Sequence, residues 1–132
     1  MELSIITVNY NDASGLERTI QSVVSQTFRD FEVIVVCDSC TDNTAEVAMK
    51  YGARVVEVNC RRDGLARNAR IDVARGKWIL FLDDDDWWLH DFCFHQIWET
   101  ICKSNDNTDV VFFDIIWHGQ CYCRQSELHY EK

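Results

Sequence analysis

The chain has 132 residues, enough for one domain burying about two-thirds of the surface its unfolded form exposes. Its 22 acidic and 13 basic residues give a formal net charge of −9, which argues against a nucleic-acid or anionic-membrane binder, since both need clustered Lys and Arg. No apolar stretch approaches the roughly 20 residues of a membrane span, and Met1-Glu2-Leu3-Ser4 lacks the basic region and cleavage site of a leader. The expectation is a cytosolic protein with no transmembrane segment; docking at the cytosolic face of a membrane would fall to other segments.

In chain order, the first apolar run, Leu3 to Val8, reads as a strand and is followed by polar Asn9-Tyr10-Asn11. Leu16, Ile20, Val23 and Val24 then form one apolar stripe, predicting a helix over Ala13 to Gln26. Val33 to Cys37 is a second strand, ending at Asp38. Thr41 or Asp42 can cap the next helix, which carries Ala45, Val47, Ala48 and Tyr51, with Gly52 as its C-terminal cap. Arg54 to Val58 is a third strand. A third helix fits Leu65 to Ala74, with Leu65, Ala69 and Val73 on one side and Gly76 after it. Trp78 to Leu82 is a fourth strand, running directly into Asp83-Asp84-Asp85-Asp86. Phe94, Ile97, Trp98 and Ile101 mark a fourth helix, Asp109 to Trp117 a fifth strand, and Gln120 to Lys132 a final irregular or edge segment.

The first, second and fourth strands are almost continuously apolar, the pattern of strands covered on both faces of a parallel sheet. Strand–helix alternation implies a three-layer α/β/α open, mostly parallel sheet with right-handed crossovers. Ligands of such sheets bind beyond the carboxyl ends of the strands. Asn9 to Asn11, Asp38 and Asp83 to Asp86 each follow a strand, so all are expected at one sheet edge.

Neighbouring carboxylates at about 5 Å repel by roughly 3 kcal/mol at an effective dielectric of about 20, so an Asp run at a strand end costs stability. A divalent cation reverses the sign, and hard oxygen ligands suit Mg²⁺ or Mn²⁺ with water and substrate phosphates filling the remaining positions. The plain alternative is a solvated acidic turn. The seven Cys are read as reduced thiols, most of them structural. Cys37-Asp38-Ser39-Cys40 has the C-x-x-C spacing of a redox motif, and with Cys121 and Cys123 it could supply four zinc thiolates. Nothing in the sequence brings the two pairs together, and incidental thiols are the favoured reading.

Several segments in order, Ser4-Ile5-Ile6-Thr7-Val8-Asn9-Tyr10-Asn11, Gln21-Ser22-Val23 with Gln26, Val35-Val36-Cys37-Asp38-Ser39-Cys40-Thr41-Asp42-Asn43-Thr44, Gly64 to Ile71 and Ala74 to Asp86, resemble the opening of a family 2 glycosyltransferase. The resemblance covers Leu3 to Trp88 and weakens toward Gly119. It implies the GT-A fold, a UDP- or GDP-sugar donor, a sugar or glycolipid acceptor, and a divalent metal, Mn²⁺ or Mg²⁺, at a D-x-D motif. By that likeness Asp83, Asp85 and Asp86 are metal residues, with Asp85 the direct ligand. Thr7, Asn9, Tyr10, Asn11, Asp38, Arg67, Asn68, Asp83 and Asp84 form the nucleotide-sugar site. Asp38 matches the acid that reads the base, and the Arg67 fork suits phosphate or base.

The chain also departs from the family pattern. Cys37 stands where an Asp is usual, Ser39-Cys40 replaces Gly-Ser, Val8 replaces Pro and Arg70 replaces Gly. The family's acceptor region, which supplies the Asp or Glu base of inverting enzymes, is expected beyond Lys132, so no catalytic base is assigned. The reading is one glycosyltransferase-like domain over residues 1–132, part of a metal-dependent and inverting enzyme of polysaccharide or glycoconjugate synthesis. A silent nucleotide-sugar-binding remnant and a metal-dependent nucleotidyltransferase are the alternatives. The second expects a basic, Gly-rich triphosphate loop, and Asn9 to Gly15 carries no Lys or Arg.

Overall fold

The computed structural model describes residues 1–59, 71–104, 108, 115–117 and 120–122. The chain divides into two compact units, Met1–His95 and Gln96–Lys132. In the first, strands β1 (Leu3–Asn9), β2 (Phe31–Asp38), β3 (Arg54–Val58) and β4 (Trp78–Asp83) form one sheet in the order β3-β2-β1-β4. Every pairing in it is parallel, as the apolar runs predict. The strands end within two residues of the expected limits.

Helix α1 (Ala13–Val24) buries Leu16, Ile20 and Val23, the stripe read from the sequence, and stops short of Gln26. Asp12 caps it by accepting from the Gly15 N–H at 3.0 Å. Helix α2 (Thr44–Lys50) has Asn43 at its N-cap with no side-chain cap bond; the capping oxygen comes one residue earlier, where Asp42 accepts from the Thr44 N–H at 3.1 Å. Gly52 follows at φ +77°, a left-handed turn that favours glycine. Helix α3 (Cys93–Lys103) is the helix marked by Phe94, Ile97, Trp98 and Ile101. Of the helix expected over Leu65 to Ala74, residues 65–70 lie outside the described residues.

Ile6, Ile34 and Val36 form a buried cluster, with Val8, Val56, Val58, Val73, Ala74 and Ile79 packed against it. On the other side of β1, Leu3 and Ile5 are equally buried, so the central strand is covered on both faces. For β4 the expectation of two covered faces fails at Phe81, which is 50% exposed. β4 is an edge of this sheet, and its apolar run extends beyond what the described elements cover.

At the amino ends of the strands, Glu32 accepts from Ser4 Oγ at 2.7 Å, from the Arg75 N–H at 2.7 Å and from Arg54 at 3.0 Å. Gly76 donates to Ser4 Oγ at 2.8 Å, and a Cβ at Gly76 would stand 2.5 Å from the Ser4 nitrogen. This network fixes the entry of β4 beside β1 and so sets which residues of β4 reach the opposite edge.

The second unit contains β5 (Ile115–Trp117) and β6 (Gln120–Tyr122), an antiparallel pair joined in register Ile115↔Tyr122. The fifth strand was expected from Asp109; residues 109–114 lie outside the described residues. The segment from Gln120, read as irregular or edge, begins with a paired strand. No helix among the described residues is long and apolar enough to cross a membrane.

Candidate functional site at the carboxyl edge of the sheet

Parallel register brings the strand ends together, with Asn9 beside Cys37 and Val8 beside Asp83. Asn9, Asp38 and the acidic run therefore emerge on one edge, as the alternation of elements predicts. The Asp83–Asp86 segment is a turn closed by the Asp86 N–H donating to the Asp83 carbonyl at 3.2 Å. Asp83, Asp85 and Asp86 are exposed and present carboxylate oxygens that all lie within 4.8 Å of one another.

Asp84 turns the other way. Its Oδ2 accepts from Asn9 Nδ2 at 2.7 Å in a half-buried position. Burial, then the carboxylates of Asp12 and Asp85, push its carboxyl above the ordinary Asp range. Asp86 is also pushed up, by burial first and then by Asp85 and Asp83. At both positions burial is the larger cause, and the neighbouring carboxylates add to it.

Asn9 is fully buried and works as a hub. Its Nδ2 also donates to the Asp12 carbonyl at 2.9 Å, while its Oδ1 accepts from the Asp12 N–H and from Thr44 Oγ1, both at 3.0 Å. The Cys40 thiol meets the Asn9 carbonyl at 3.2 Å. Asn11 sits at φ 52°, a left-handed conformation that Asn tolerates, and its Oδ1 accepts from the Thr41 N–H at 2.7 Å and the Asp42 N–H at 3.2 Å. Ser39 is left-handed too, at φ 59°, and its hydroxyl donates to Asp38 at 3.2 Å. Asn11 thus ties the loop after β1 to the loop after β2, while Ser39, whose hydroxyl also reaches Asn59 Oδ1 at 2.9 Å, ties the loop after β2 to the end of β3. Tyr10 is 67% exposed beside them, whereas Thr7 is buried inside β1 with an Oγ1 that has no hydrogen-bond partner. Arg67 and Asn68 lie outside the described residues.

Cys37 and Cys40 are both free thiols. Burial, followed by the neighbouring Cys40, pushes the Cys37 thiol up to about 12, the opposite of an activated redox cysteine. Of the other proposed zinc ligands, Cys121 lies in β6 and Cys123 is outside the described residues.

A polar row that begins on α1 and ends just past it was not singled out in the sequence. Thr19, on the helix, and Gln26, two residues beyond its end, are fully buried, and Ser22 lies between them on α1. Thr19 Oγ1 donates to the carbonyls of Asp84 at 2.9 Å and Asp86 at 2.6 Å. Ser22 Oγ accepts from the Trp88 N–H at 3.1 Å. Gln26 donates to the His90 carbonyl at 2.8 Å and accepts from the Phe94 N–H at 3.0 Å. The backbone from Asp84 to Phe94 is thereby fastened to α1. The signal available in the sequence was polar residues at helical spacing beside an apolar stripe.

The family model described as Glycosyl transferase family 2 matches residues 4–128. The chain is 36% identical over 102 residues to the Escherichia coli UDP-Glc:alpha-D-GlcNAc-diphosphoundecaprenol beta-1,3-glucosyltransferase WfaP, a match covering 74% of this chain and 41% of that protein. It is 34% identical to the teichuronic acid biosynthesis glycosyltransferase TuaG of Bacillus subtilis, described as putative in its name, over 67% of this chain and 38% of that one. The crystal structure of S. aureus TarS 1-349 in complex with UDP-GlcNAc superposes with a TM-score of 0.69 at 28% identity, covering 78% of this chain and 32% of that chain. The matches thus span well under half of these longer proteins. The four-stranded parallel sheet is that of the GT-A nucleotide-diphospho-sugar transferases. The chain belongs to glycosyl transferase family 2.

Proposed function

We propose that this chain is the nucleotide-sugar-binding part of a metal-dependent, inverting glycosyltransferase that takes a UDP- or GDP-sugar as donor. The observation that carries the reading is the convergence of Asp83, Asp85 and Asp86 oxygens within 4.8 Å at the carboxyl edge of a parallel sheet. Three carboxylate oxygens gathered this closely on short, exposed side chains could together hold one divalent cation. The donor set is all hard oxygen, which suits Mg²⁺ or Mn²⁺ over softer metals. When bound, such an ion neutralises charge on the donor diphosphate and on the departing nucleotide.

The chain's own residues hold the donor around that point. Asp38 accepts from an N–H of the base, and Tyr10, Asn11 and the backbone from Thr7 to Asn9 form the base wall. By the family resemblance alone, Arg67 and Asn68 are assigned to the nucleotide and phosphate side, where a guanidinium fork suits phosphate oxygens. Asp84 and Asn9 contribute through the hydrogen bond that fixes the turn against β1. The acceptor hydroxyl requires a base within about 3 Å, directly or through one water, and that base is sought in the additional length of the relatives. The WfaP name, with its diphosphoundecaprenol-linked sugar, supports a lipid-linked sugar as acceptor.

Calorimetry with UDP, GDP and their sugars tests the reading. Binding is expected with Mn²⁺ or Mg²⁺ and little with chelator; equal affinity in both conditions removes the metal from the reading. Mass spectrometry of the same mixtures with acceptor sugars separates a working transferase from a silent binding remnant, because only the former accumulates glycoside.

A further inference from the structure

We propose that Thr19 is the positioning residue of the acidic turn, a role that rests on the metal reading above and extends it to a side chain that is itself no ligand. A helical Thr hydroxyl ordinarily bonds back to its own helix. Thr19 instead directs its single proton between two carbonyls more than sixty residues away, Asp84 O at 2.9 Å and Asp86 O at 2.6 Å. Those carbonyls flank Asp85. One buried, β-branched side chain with few rotamers thus orients the Asp84–Asp85 and Asp86–Trp87 peptide units, while the bond from the Asp86 N–H to the Asp83 carbonyl closes the turn.

The arrangement answers a specific physical difficulty. Three exposed carboxylates held within 4.8 Å repel one another and tend to splay the turn that carries them. Side-chain bonds to those carboxylates would occupy the oxygens that a cation needs. Holding the turn by its main-chain carbonyls leaves the oxygens of Asp83, Asp85 and Asp86 available. Ser22, further along α1, and Gln26, just past its end, grip Trp88 and His90 and so fasten the loop after the turn rather than the turn itself. Their role separates the local effect of Thr19 from general docking of the loop.

The test uses the whole 132-residue chain with Thr19→Val, Thr19→Ser and Ser22→Ala. Mn²⁺ affinity is read from the electron paramagnetic signal of the free ion, turn closure from hydrogen exchange at the Asp86 amide, and stability from thermal melting. Thr19→Val is expected to raise the Mn²⁺ Kd about tenfold, the lower end of the loss seen when groups supporting metal ligands are removed. It should also speed exchange at Asp86, and Thr19→Ser should restore both. Ser22→Ala should lower the melting temperature and leave Mn²⁺ affinity unchanged. Parent-like Mn²⁺ affinity in Thr19→Val overturns the proposal, as does an equal loss in Ser22→Ala. If Thr19→Val does not fold, Thr19→Cys, a weaker donor of similar size, carries the same test, and a parent-like Kd there overturns the proposal. If the parent takes up no Mn²⁺, the metal reading falls and the proposal with it; if the parent binds and the variants do not differ, only the proposal falls.

Discussion

Asn9 donates to the Asp84 carboxylate across 2.7 Å, joining the last residue of β1 to the second residue of the acidic run. The same side chain accepts from the Asp12 N–H, so its removal leaves that amide and the Asp84 carboxylate, both partly buried, without this partner, while the Thr44 hydroxyl keeps Asp42. At roughly 1–3 kcal/mol for each such group, Asn9→Ala is expected to cost about 3 kcal/mol or more. Asn9→Asp should be worse at neutral pH, since it places a second carboxylate against Asp84. Chemical denaturation of the two variants checks the order; Asn9→Asp as stable as the parent would remove Asn9 from its place as hub.

Asp85 and Asp42 separate binding from stability. Asp85→Asn is expected to lose most Mn²⁺-dependent nucleotide binding with little change in melting temperature. Asp42 supports the Thr44 N–H at 3.1 Å and the Ala13 N–H at 3.2 Å, and these bonds, led by that from the Thr44 hydroxyl, hold its carboxyl below the usual range. Asp42→Ala, which removes the accepting oxygens, should cost about 1 kcal/mol, as for a lost helix cap, and leave nucleotide binding intact. Parallel melts and nucleotide titrations decide the matter, and parent-like binding by Asp85→Asn would move the site elsewhere.

Glu32 sets a pH dependence. Burial works to raise its carboxyl, but hydrogen bonds from Ser4 and Arg75 and the Arg54 charge outweigh it and bring the group below the ordinary Glu value. A depressed carboxyl stabilises the fold above its unfolded pKa, near 4.3, and that contribution is lost as pH falls through the folded value. Glu32→Gln should thus destabilise the chain at pH 7 by about 1–3 kcal/mol, the cost of removing the charge that strengthens the hydrogen bonds from Ser4, Arg75 and Arg54. The gap between parent and variant should narrow below about pH 4. Melts from pH 3 to 8 test this; a gap that widens on acidification contradicts the assignment.

Cys37 should be slow to alkylate. Its thiol is buried and pushed up to about 12, so at neutral pH it supplies almost no thiolate. Exposed Cys102 should label before it. Mass-mapped alkylation of the folded chain checks the order, and rapid labelling of Cys37, or a Cys37–Cys40 disulfide in purified protein, would revive the redox reading.

Strands were the most legible part of this sequence, because runs such as Leu3 to Val8 and Val33 to Cys37 have one stable place, inside a parallel sheet. Their ends then fixed the edge at which Asn9, Asp38 and Asp83 meet. The directions of adjacent side chains were not legible: spacing alone gives no reason for Asp84 to turn toward Asn9 while its three neighbours converge elsewhere. Thr19 was hidden for a different reason. Its partners are main-chain carbonyls, which carry no residue identity for a motif to display. Phe81 shows the limit of apolar patterning, since a continuous run marks a strand able to be covered on both faces and does not say whether the neighbouring elements do so.

The pairing of Leu3 with Trp78 has a kinetic consequence. β1 can join β2 after closing a modest loop, but its other edge waits for a strand more than seventy residues away. Loop-closure entropy and topology make such distant pairing the late event of folding. The acidic turn hangs from the end of that late strand. During refolding, helical signal and the β1–β2 half of the sheet should return first, and the capacity to hold a nucleotide should reappear only with the slowest phase.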